Sequence, residues 1–237
     1  MVINTYDNYE EMSRKAADFI LAEIRRKPDL LIAIATGGTP TRTYEILAGE
    51  YEADPAQFDK VRIVKLDEWG GIPLDSLSTC ETYIRKYIIK PLGISPERYM
   101  TFNSDPKSPK REVGKIVKMM KLAGRIDLCI LGLGVNGHIA FNEPAASLKA
   151  GPHVAKLSKE SRNHTMAVND KDNIKYGLTL GMGNILQSFK IMLLVNGKGK
   201  SEIFEKLKKE KVSTRLPASF LWLHSDANCF CDKESNP

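Results

Sequence analysis

The stretch Leu30-Leu-Ile-Ala-Ile-Ala35 leads directly into Thr36-Gly-Gly-Thr-Pro-Thr41, and this junction decides the fold. An unbroken apolar run is typical of a strand that is buried on both faces, as in a parallel sheet. The two glycines indicate a tight turn, and the proline indicates that a helix begins close behind it. The stretch therefore predicts a strand, a turn and a helix, which together form half of a βαβ unit.

The same alternation between apolar runs and helical periodicity continues along the rest of the chain. The predicted strands are 30–35, 61–66, 126–132 and 191–195. The predicted helices are 9–26, 41–49, 79–89, 109–122 and 200–209. We therefore expect a single α/β domain over residues 1–237, with a mainly parallel, doubly wound (Rossmann-like) sheet and helices on both faces.

Each predicted strand is followed by a polar or glycine-rich turn. These turns are 36–39, 67–69, 134–138 and 196–200. In open α/β sheets, ligands bind in a crevice beyond the carboxyl ends of the strands. We therefore expect the four turns to meet around one binding site.

The net charge of +6 raises the question of a nucleic-acid partner. Much of the excess lies between Lys198 and Lys211, where Glu202, Glu205 and Glu210 alternate with the lysines. That pattern is typical of a solvated helix face with ion pairs, whereas a DNA-binding stripe is the alternative. Because no helix-turn-helix, zinc or aromatic stacking motif accompanies the lysines, we expect no nucleic-acid partner.

The cysteines Cys80, Cys129, Cys229 and Cys231 are irregularly spaced and do not indicate a disulfide framework. Cys129 lies in an apolar run, so we expect a small buried hydrophobic residue there. Neither a run of about 18 apolar residues nor a secretory leader is evident, so no membrane partner is expected. These features predict a soluble protein with reduced thiols in the cytoplasm.

The turn formed by Thr36, Gly37, Gly38 and Thr39 precedes a predicted helix start. Free N–H groups and the positive end of the helix dipole make such a start suitable for a phosphate. An ordinary turn capped by threonine is the alternative. A nucleotide P-loop is not predicted, because no Gly-Lys-Ser/Thr closes this turn and the later Gly199-Lys-Ser201 lacks the upstream glycine.

Asp67 follows the second predicted strand, and Trp69 beside it can shield a carboxylate from water. Partial desolvation disfavours the charged form of a carboxyl group, which makes it a better base near neutral pH. A turn-capping role is the alternative. Lys200 follows the fourth strand and, with Arg162, is a candidate anion ligand, although simple solvent exposure would also explain a lysine in this lysine-rich region.

The segment Gly132-Leu-Gly134-Val-Asn136-Gly-His138 matches the G-x-G-x-x-G pattern of dinucleotide sites. The acidic residue that such sites carry about 20 positions later is missing, so we discount this interpretation. Glu143 follows His138 within a short turn instead. An imidazole near a carboxylate can transfer protons at physiological pH, whereas a structural histidine is the alternative.

Three motifs together resemble the glucosamine-6-phosphate deaminase/isomerase family. They are Thr-Gly-Gly-Thr-Pro at 36–40, Leu-Asp-Glu-Trp at 66–69, and Gly-Leu-Gly-Val-Asn-Gly-His-Ile-Ala-Phe-Asn-Glu-Pro at 132–144. The similarity extends over nearly the whole chain. The segment 211–225 resembles specifically the galactosamine-6-phosphate branch, whose product is tagatose 6-phosphate.

The resemblance implies an amino sugar phosphate as the substrate, with no metal or organic cofactor. It implies that Asp67 is the base that moves a proton between C2 and C1 through an enolamine. It further implies that His138 is the acid that opens the pyranose ring, and that Glu143 assists and orients this histidine. The implied phosphate-binding residues are Gly37, Gly38, Thr39 and Lys200.

Two positions depart from the family pattern. Where the glucosamine enzymes carry an aspartate, this chain has Asn136, whose neutral amide can orient an imidazole but cannot stabilise its cation by charge. The phosphate arginine of the family has no aligned counterpart, so Arg162 and His164 are the candidates to replace it. A homo-oligomer is compatible with the sequence, which does not specify one.

Three alternatives accompany this interpretation. Glucosamine 6-phosphate, converted to fructose 6-phosphate, differs from the galacto substrate only in the direction of the C4 hydroxyl. A 6-phosphogluconolactonase shares the G-x-G and Gly-His elements but would lack the Phe-Asn-Glu-Pro sequence at 141–144. A non-catalytic sugar-phosphate sensor would usually carry a DNA-binding module before the first strand, for which this chain has little room.

Overall fold

Ten strands and seven α-helices are present in the computed structural model, which describes residues 1–167 and 169–236. The strands are β1 (Val2–Tyr6), β2 (Leu31–Ile34), β3 (Arg62–Lys65), β4 (Asp67–Gly70), β5 (Tyr99–Met100), β6 (Leu128–Gly132), β7 (His153–Ala155), β8 (Tyr176–Thr179), β9 (Lys190–Val195) and β10 (Ala227–Asp232). The helices are α1 (Tyr9–Arg26), α2 (Gly38–Ala53), α3 (Cys80–Ile84), α4 (Pro109–Ala123), α5 (Lys159–Arg162), α6 (Met182–Leu186) and α7 (Ser201–Lys208).

Seven of these strands form a parallel sheet in the order β1-β10-β9-β6-β2-β3-β5. The chain runs outward from β2 through β3 to β5 and then returns to β6 on the other side of β2. The direction of winding therefore reverses between β2 and β6. This reversal is the topological switch point, beside which open α/β sheets bind their ligands.

Alternate residues of the central strands enter two separate hydrophobic cores. Leu31 and Ala33 of β2 belong to a core that also contains residues of α4, α6 and α7. Ile32 and Ile34 belong to the core on the opposite face, together with residues of α1 and α2. Because both faces are covered, the strand is apolar at every position. The predicted doubly wound sheet with helices on both faces is confirmed.

The four predicted strands are β9, β6, β2 and β3, which are neighbours in the sheet, and their ends shift by one or two residues. Helix α1 has the predicted bounds, and the Asn8 side chain fixes its start by accepting a hydrogen bond from the backbone N–H of Glu11. Helix α2 is longer than predicted at both ends. The helix predicted over 79–89 divides into α3 and a π-helical turn at Arg85–Ile89.

The structure contradicts the turn predicted at 67–69. These residues belong to β4, which pairs antiparallel with β8, and β8 pairs with β7 to complete a separate three-stranded sheet. Two adjacent acidic residues hid this strand, since they break the apolar signature on which strand prediction relies. Asp67 pairs with Thr179, which lies far away in the sequence.

The lysine-rich segment forms α7, which is shorter than predicted and begins after Lys200. On this helix Lys206 pairs with Glu202, and Lys208 pairs with Glu205, as expected for a solvated face. All four cysteines are free thiols and buried, including Cys129. None of the helices in the described ranges is long and apolar enough to cross a membrane.

Candidate active site

A cavity of about 390 Å³ lies at the carboxyl ends of β2 and β6, beside the topological switch point. The predicted site residues that line it are Thr36, Gly37, Gly38, Thr39, Asp67, Gly134, His138, His164 and Lys200. Residues that the sequence did not single out also line it, namely Glu160, Ser161, Asn163 and Thr165. The structure therefore brings the four predicted turns together.

Three predicted site residues do not line this cavity. Arg162 lines a separate and more open cavity with Lys156, Lys159 and Lys171. A helix as short as α5 has no periodicity from which the direction of a side chain could be predicted. Asn136 and Glu143 lie behind His138 and contact its ring from the protein side, as described below.

One end of the cavity is formed by the N-terminus of α2. The N-cap residue, Gly37, adopts a φ of 107°, a left-handed conformation that glycine tolerates at no steric cost. It offers no capping side chain, so the first N–H groups of the helix keep their capacity to bind an anion. The His164 ring covers this turn, since a Cβ atom on Gly37 would lie 3.6 Å from the ring.

Two basic side chains share this end of the cavity. Burial lowers the pKa of Lys200, which lies in a 3₁₀ turn directly after β9. Burial of its ring, and then the charges of Lys200 and His138, lower the pKa of His164, although the residue as a whole is exposed. A bound anion would offset the cost of placing the Lys200 ammonium group away from water. This end of the cavity therefore suits a phosphate.

Asp67, on β4, also lines the cavity and is only 8% exposed. Burial raises the pKa of its carboxyl group to about 7, and the negative charge of Glu68 adds to this effect. The charge of Lys65 and a weak hydrogen bond from the Cys80 thiol oppose it, with Cys80 Sγ 3.9 Å from Asp67 Oδ1. A carboxyl group with this pKa can both take up and release a proton near neutral pH.

A buried ion cluster holds β4 in place. Lys65 Nζ lies 2.6 Å from Glu68 Oε2 and 2.9 Å from Glu81 Oε2. Burial alone would lower the pKa of Lys65, but these two carboxylates raise it. Glu68 also accepts hydrogen bonds from the backbone N–H groups of Trp69 and Cys80. Successive residues of a strand face opposite sides, so this anchoring leaves Asp67 directed at the cavity.

His138 is held by Asn136, whose Oδ1 lies 2.8 Å from His138 Nδ1. The Asn136 Nδ2 donates to Glu143 Oε2 at 2.9 Å. Because a carboxylate only accepts hydrogen bonds, this contact fixes the direction of the amide, and its oxygen must face the histidine. His138 Nδ1 therefore carries a proton, and Nε2 is the ring atom that remains for proton transfer.

Gly134 allows the His138 ring to lie directly against the loop that follows β6. A Cβ atom at position 134 would come within 2.4 Å of the ring, which no side chain can accommodate. The glycine is therefore required by the close approach of the imidazole.

Glu143 does not bond directly to the histidine, because its Oε2 lies 3.6 Å from His138 Nδ1. The orienting contact implied for Glu143 is made by Asn136 instead. Burial would raise the pKa of the Glu143 carboxyl group, but the nearby His138 ring and the hydrogen bonds from Ser161 and Asn136 lower it to about 2. Glu143 therefore carries a negative charge at neutral pH.

In the part of the chain that the structure describes, no group of three or more His, Cys, Asp or Glu side chains is placed to hold a metal ion. The cavity combines a carboxyl group that titrates near neutral pH, an oriented imidazole and an anion-binding helix start. Fold and cavity together define an α/β enzyme of acid–base chemistry.

Comparison with known proteins identifies the family. Residues 7–230 match the family described as glucosamine-6-phosphate isomerases/6-phosphogluconolactonase. AgaI of Escherichia coli (strain K12), a deaminase by provisional assignment, is 38% identical over 223 residues, which cover 94% of this chain and 88% of AgaI. Glucosamine-6-phosphate deaminase 1 of Bacillus subtilis (strain 168) is 33% identical over 237 residues, covering 99% of this chain and 98% of the relative.

A solved structure of a monomeric glucosamine-6-phosphate deaminase superposes with a TM-score of 0.94 at 33% identity, covering 100% of this chain and 99% of that one. The chain therefore belongs to the glucosamine-6-phosphate isomerase/6-phosphogluconolactonase family of enzymes.

Proposed function

We propose that this enzyme converts a 2-amino-2-deoxyhexose 6-phosphate and water into a ketose 6-phosphate and ammonia. The observation that carries the proposal is the single cavity that Asp67, His138 and the N-terminus of α2 line together. The phosphate binds to the N–H groups of Gly38 and Thr39 at that helix start, together with Lys200 and His164. The sugar then extends toward the proton-transferring groups.

Ring opening is the task of His138. Its Nε2–H protonates the ring oxygen while the C1 hydroxyl releases its own proton to water, which breaks the C1–ring oxygen bond and produces the open-chain aldehyde. The imidazole becomes neutral in this step and keeps Nδ1–H bonded to Asn136. Glu143 places a negative charge 3.6 Å from Nδ1 of this ring.

Isomerisation is the task of Asp67. The aldehyde makes the C2 hydrogen acidic, and the carboxylate takes it to form an enolamine and then returns the proton to C1. Positioned proton transfer of this kind contributes about 10²–10⁴-fold to the rate. The resulting ketimine at C2 adds water and expels ammonia, which leaves the ketose phosphate.

Galactosamine 6-phosphate, converted to tagatose 6-phosphate, is the substrate we favour. The support is the resemblance of the segment 211–225 to the galactosamine branch and the asparagine at position 136. The segment supports the loop of His138, since the Ala218 N–H donates to the Gly137 carbonyl and the Ala145 N–H to the Thr214 carbonyl. It would therefore influence substrate choice by positioning that loop.

Glucosamine 6-phosphate is the second candidate. The curated relative from Bacillus subtilis and the solved structure described above are both named for this substrate, at 33% identity over essentially the whole chain.

Side-by-side assays of purified enzyme with the two amino sugar phosphates test the proposal. Ammonia release and ketose formation should rise together, with a larger kcat/KM for the galacto substrate. The Asp67→Asn variant, purified in the same way, controls for deaminases of the expression host. Hydrolysis of 6-phosphogluconolactone without ammonia release from either amino sugar would overturn the proposal, and tight binding of both sugars without turnover would indicate a sensor.

A further inference from the structure

Ser161 is a residue of the cavity wall whose side chain contacts both His138 and Glu143. Its Oγ donates a hydrogen bond to Glu143 Oε1 and lies 3.3 Å from His138 Nδ1. The residue is only 2% exposed, and Ser158, the N-cap of α5, accepts a hydrogen bond from its backbone N–H and donates one to its Oγ. The hydroxyl is therefore fixed between an imidazole nitrogen and a carboxylate.

The position of this hydroxyl matters because Asn136 is neutral. Protonated His138 gains no charge stabilisation from an amide, and the Glu143 carboxylate lies beyond hydrogen-bonding distance at 3.6 Å. A hydroxyl can accept from Nδ1–H while it donates to a carboxylate oxygen, which polarises both bonds. Ser161 is placed to form this second link from the ring to Glu143, parallel to the link through Asn136.

We infer that Ser161 is a positioning residue for the proposed acid, which couples the charge of Glu143 to the His138 ring through its hydroxyl group. The inference rests on the proposed function, because it assigns a task within the ring-opening step. It also ties the acid to the segment that carries Asn163 and His164, two further residues of the cavity wall. The orientation of the His138 ring therefore depends on the segment that carries Asn163 and His164, against which the substrate would lie.

The Ser161→Ala variant tests this role. We expect kcat to fall about tenfold with KM nearly unchanged, as for the loss of one hydrogen bond to a charged group. Ser161→Thr keeps the hydroxyl and should recover most of kcat. The matched control is Ser188→Ala, which removes another buried serine hydroxyl remote from the cavity and should leave kcat unchanged. A raised KM with normal kcat would show that Ser161 contacts the substrate instead, which overturns the inference.

A double-mutant cycle shows whether Ser161 acts through Glu143. In a Glu143→Gln background the carboxylate is already gone, so adding Ser161→Ala should change kcat less than twofold. A full tenfold loss in both backgrounds would mean that the two residues act independently, and the inference would fail.

A measurement without turnover separates this inference from the proposed function. In protein with ¹⁵N-labelled histidine, the His138 Nδ1 resonance should move in Ser161→Ala and stay in place in Ser188→Ala. If the His138 Nδ1 resonance does not move in Ser161→Ala, the link from His138 through Ser161 to Glu143 is overturned, even if the wild-type enzyme releases ammonia. If the resonance moves but the wild-type protein deaminates neither sugar, the link stands and the proposed function is rejected.

Discussion

Asp67 and Glu143 are carboxyl groups of the same site in opposite surroundings. Both are shielded from water, and burial alone would raise the pKa of each. Among the described residues, the Asp67 carboxylate has only the distant Cys80 thiol as a donor, whereas Glu143 accepts from Asn136, Ser158 and Ser161. The pKa of Asp67 is accordingly about 7, and that of Glu143 about 2.

Neighbouring charges and hydrogen-bond donors together decide what each group can do, since Glu68 lies beside Asp67 and the His138 ring lies beside Glu143. A carboxylate with few donors exchanges protons in the working pH range, and one with several donors remains a permanent charge. The comparison assigns proton transfer to Asp67 and electrostatic support to Glu143.

Replacing the base should remove isomerisation while leaving binding intact. Asp67→Asn keeps the shape of the side chain but cannot take the C2 hydrogen, so kcat/KM should fall about 10³-fold. Deuterium exchange at C2 in D₂O should disappear, and the dissociation constant of the sugar phosphate should stay within a few-fold of the wild-type value. Exchange at the wild-type rate would remove Asp67 from this role, and Asp172→Asn, outside the cavity, is the control.

The same two carboxyl groups should have opposite effects on folding stability. The pKa of Asp67 is raised above its ordinary value of 3.8, so the native state loses stability as pH rises from about 4 to 7. Asp67→Asn should therefore raise the free energy of unfolding at pH 8 by about 2–4 kcal/mol, with little change at pH 3.5.

Glu143 has the reverse linkage, because its folded pKa lies below its ordinary value of 4.5. Its stabilising contribution is complete above about pH 5 and is lost as pH falls toward 2. Glu143→Gln should lower the free energy of unfolding at pH 7 by about 2 kcal/mol. Urea unfolding of Asp67→Asn and Glu143→Gln at several pH values measures both changes in the free energy of unfolding. If the two changes have the same sign near neutral pH, the proposed difference between the two carboxyl groups is refuted.

Loss of a phosphate ligand should affect binding without affecting proton transfer. Lys200→Ala should raise KM for the phosphorylated sugar about tenfold at unchanged kcat, since the contact is equal in the ground and transition states. Lys198 lies in the same 3₁₀ turn but does not line the cavity, so Lys198→Ala is the matched control. An unchanged KM in Lys200→Ala would exclude this lysine from the site.

The smallest expected effect comes from giving Asp67 a better donor. In wild-type enzyme, kcat/KM should decrease below about pH 7 as Asp67 becomes protonated. Cys80→Ser replaces a weak thiol donor with a hydroxyl. It should move the acidic limb of the profile of kcat/KM against pH to lower pH by about half a unit. Cys80→Ala removes the donor and should move it slightly up. Shifts in the same direction for both variants would contradict the assignment of the limb to Asp67.

Local patterns were sufficient to predict much of the site. Apolar runs that end in glycine or polar turns define β2, β6 and β9, and the carboxyl ends of parallel strands necessarily meet at one edge of a sheet. That rule predicted the shared location of Gly37, Gly134, His138 and Lys200. Asp67 was predicted at this location as well, although as part of a turn.

The features that sequence reasoning missed depend on contacts between distant residues. The three-stranded sheet has short strands, and its pairing of Asp67 with Thr179 leaves no local signal. Ser161 was not predicted as a site residue, because its contacts join segments 18 and 23 residues apart. The direction of the Arg162 side chain could not be predicted either, because a helix as short as α5 has no periodicity.

Because the protein has two sheets, substitutions that move the proposed base can be separate from substitutions that alter the phosphate-binding helix start. The helix start and the imidazole are built on the central sheet, whereas Asp67, the proposed base, is carried by a small antiparallel sheet joined to it through Leu66. Leu178 of β8 lies in the main core, but Ala155 of β7 packs with Trp69 in a separate small core, so substitutions in that small core can shift the height of the proposed base above the sugar without repacking the main core. Sugars of different stereochemistry, or different reactions on the same phosphate anchor, then become accessible through changes in a few residues of one minor layer.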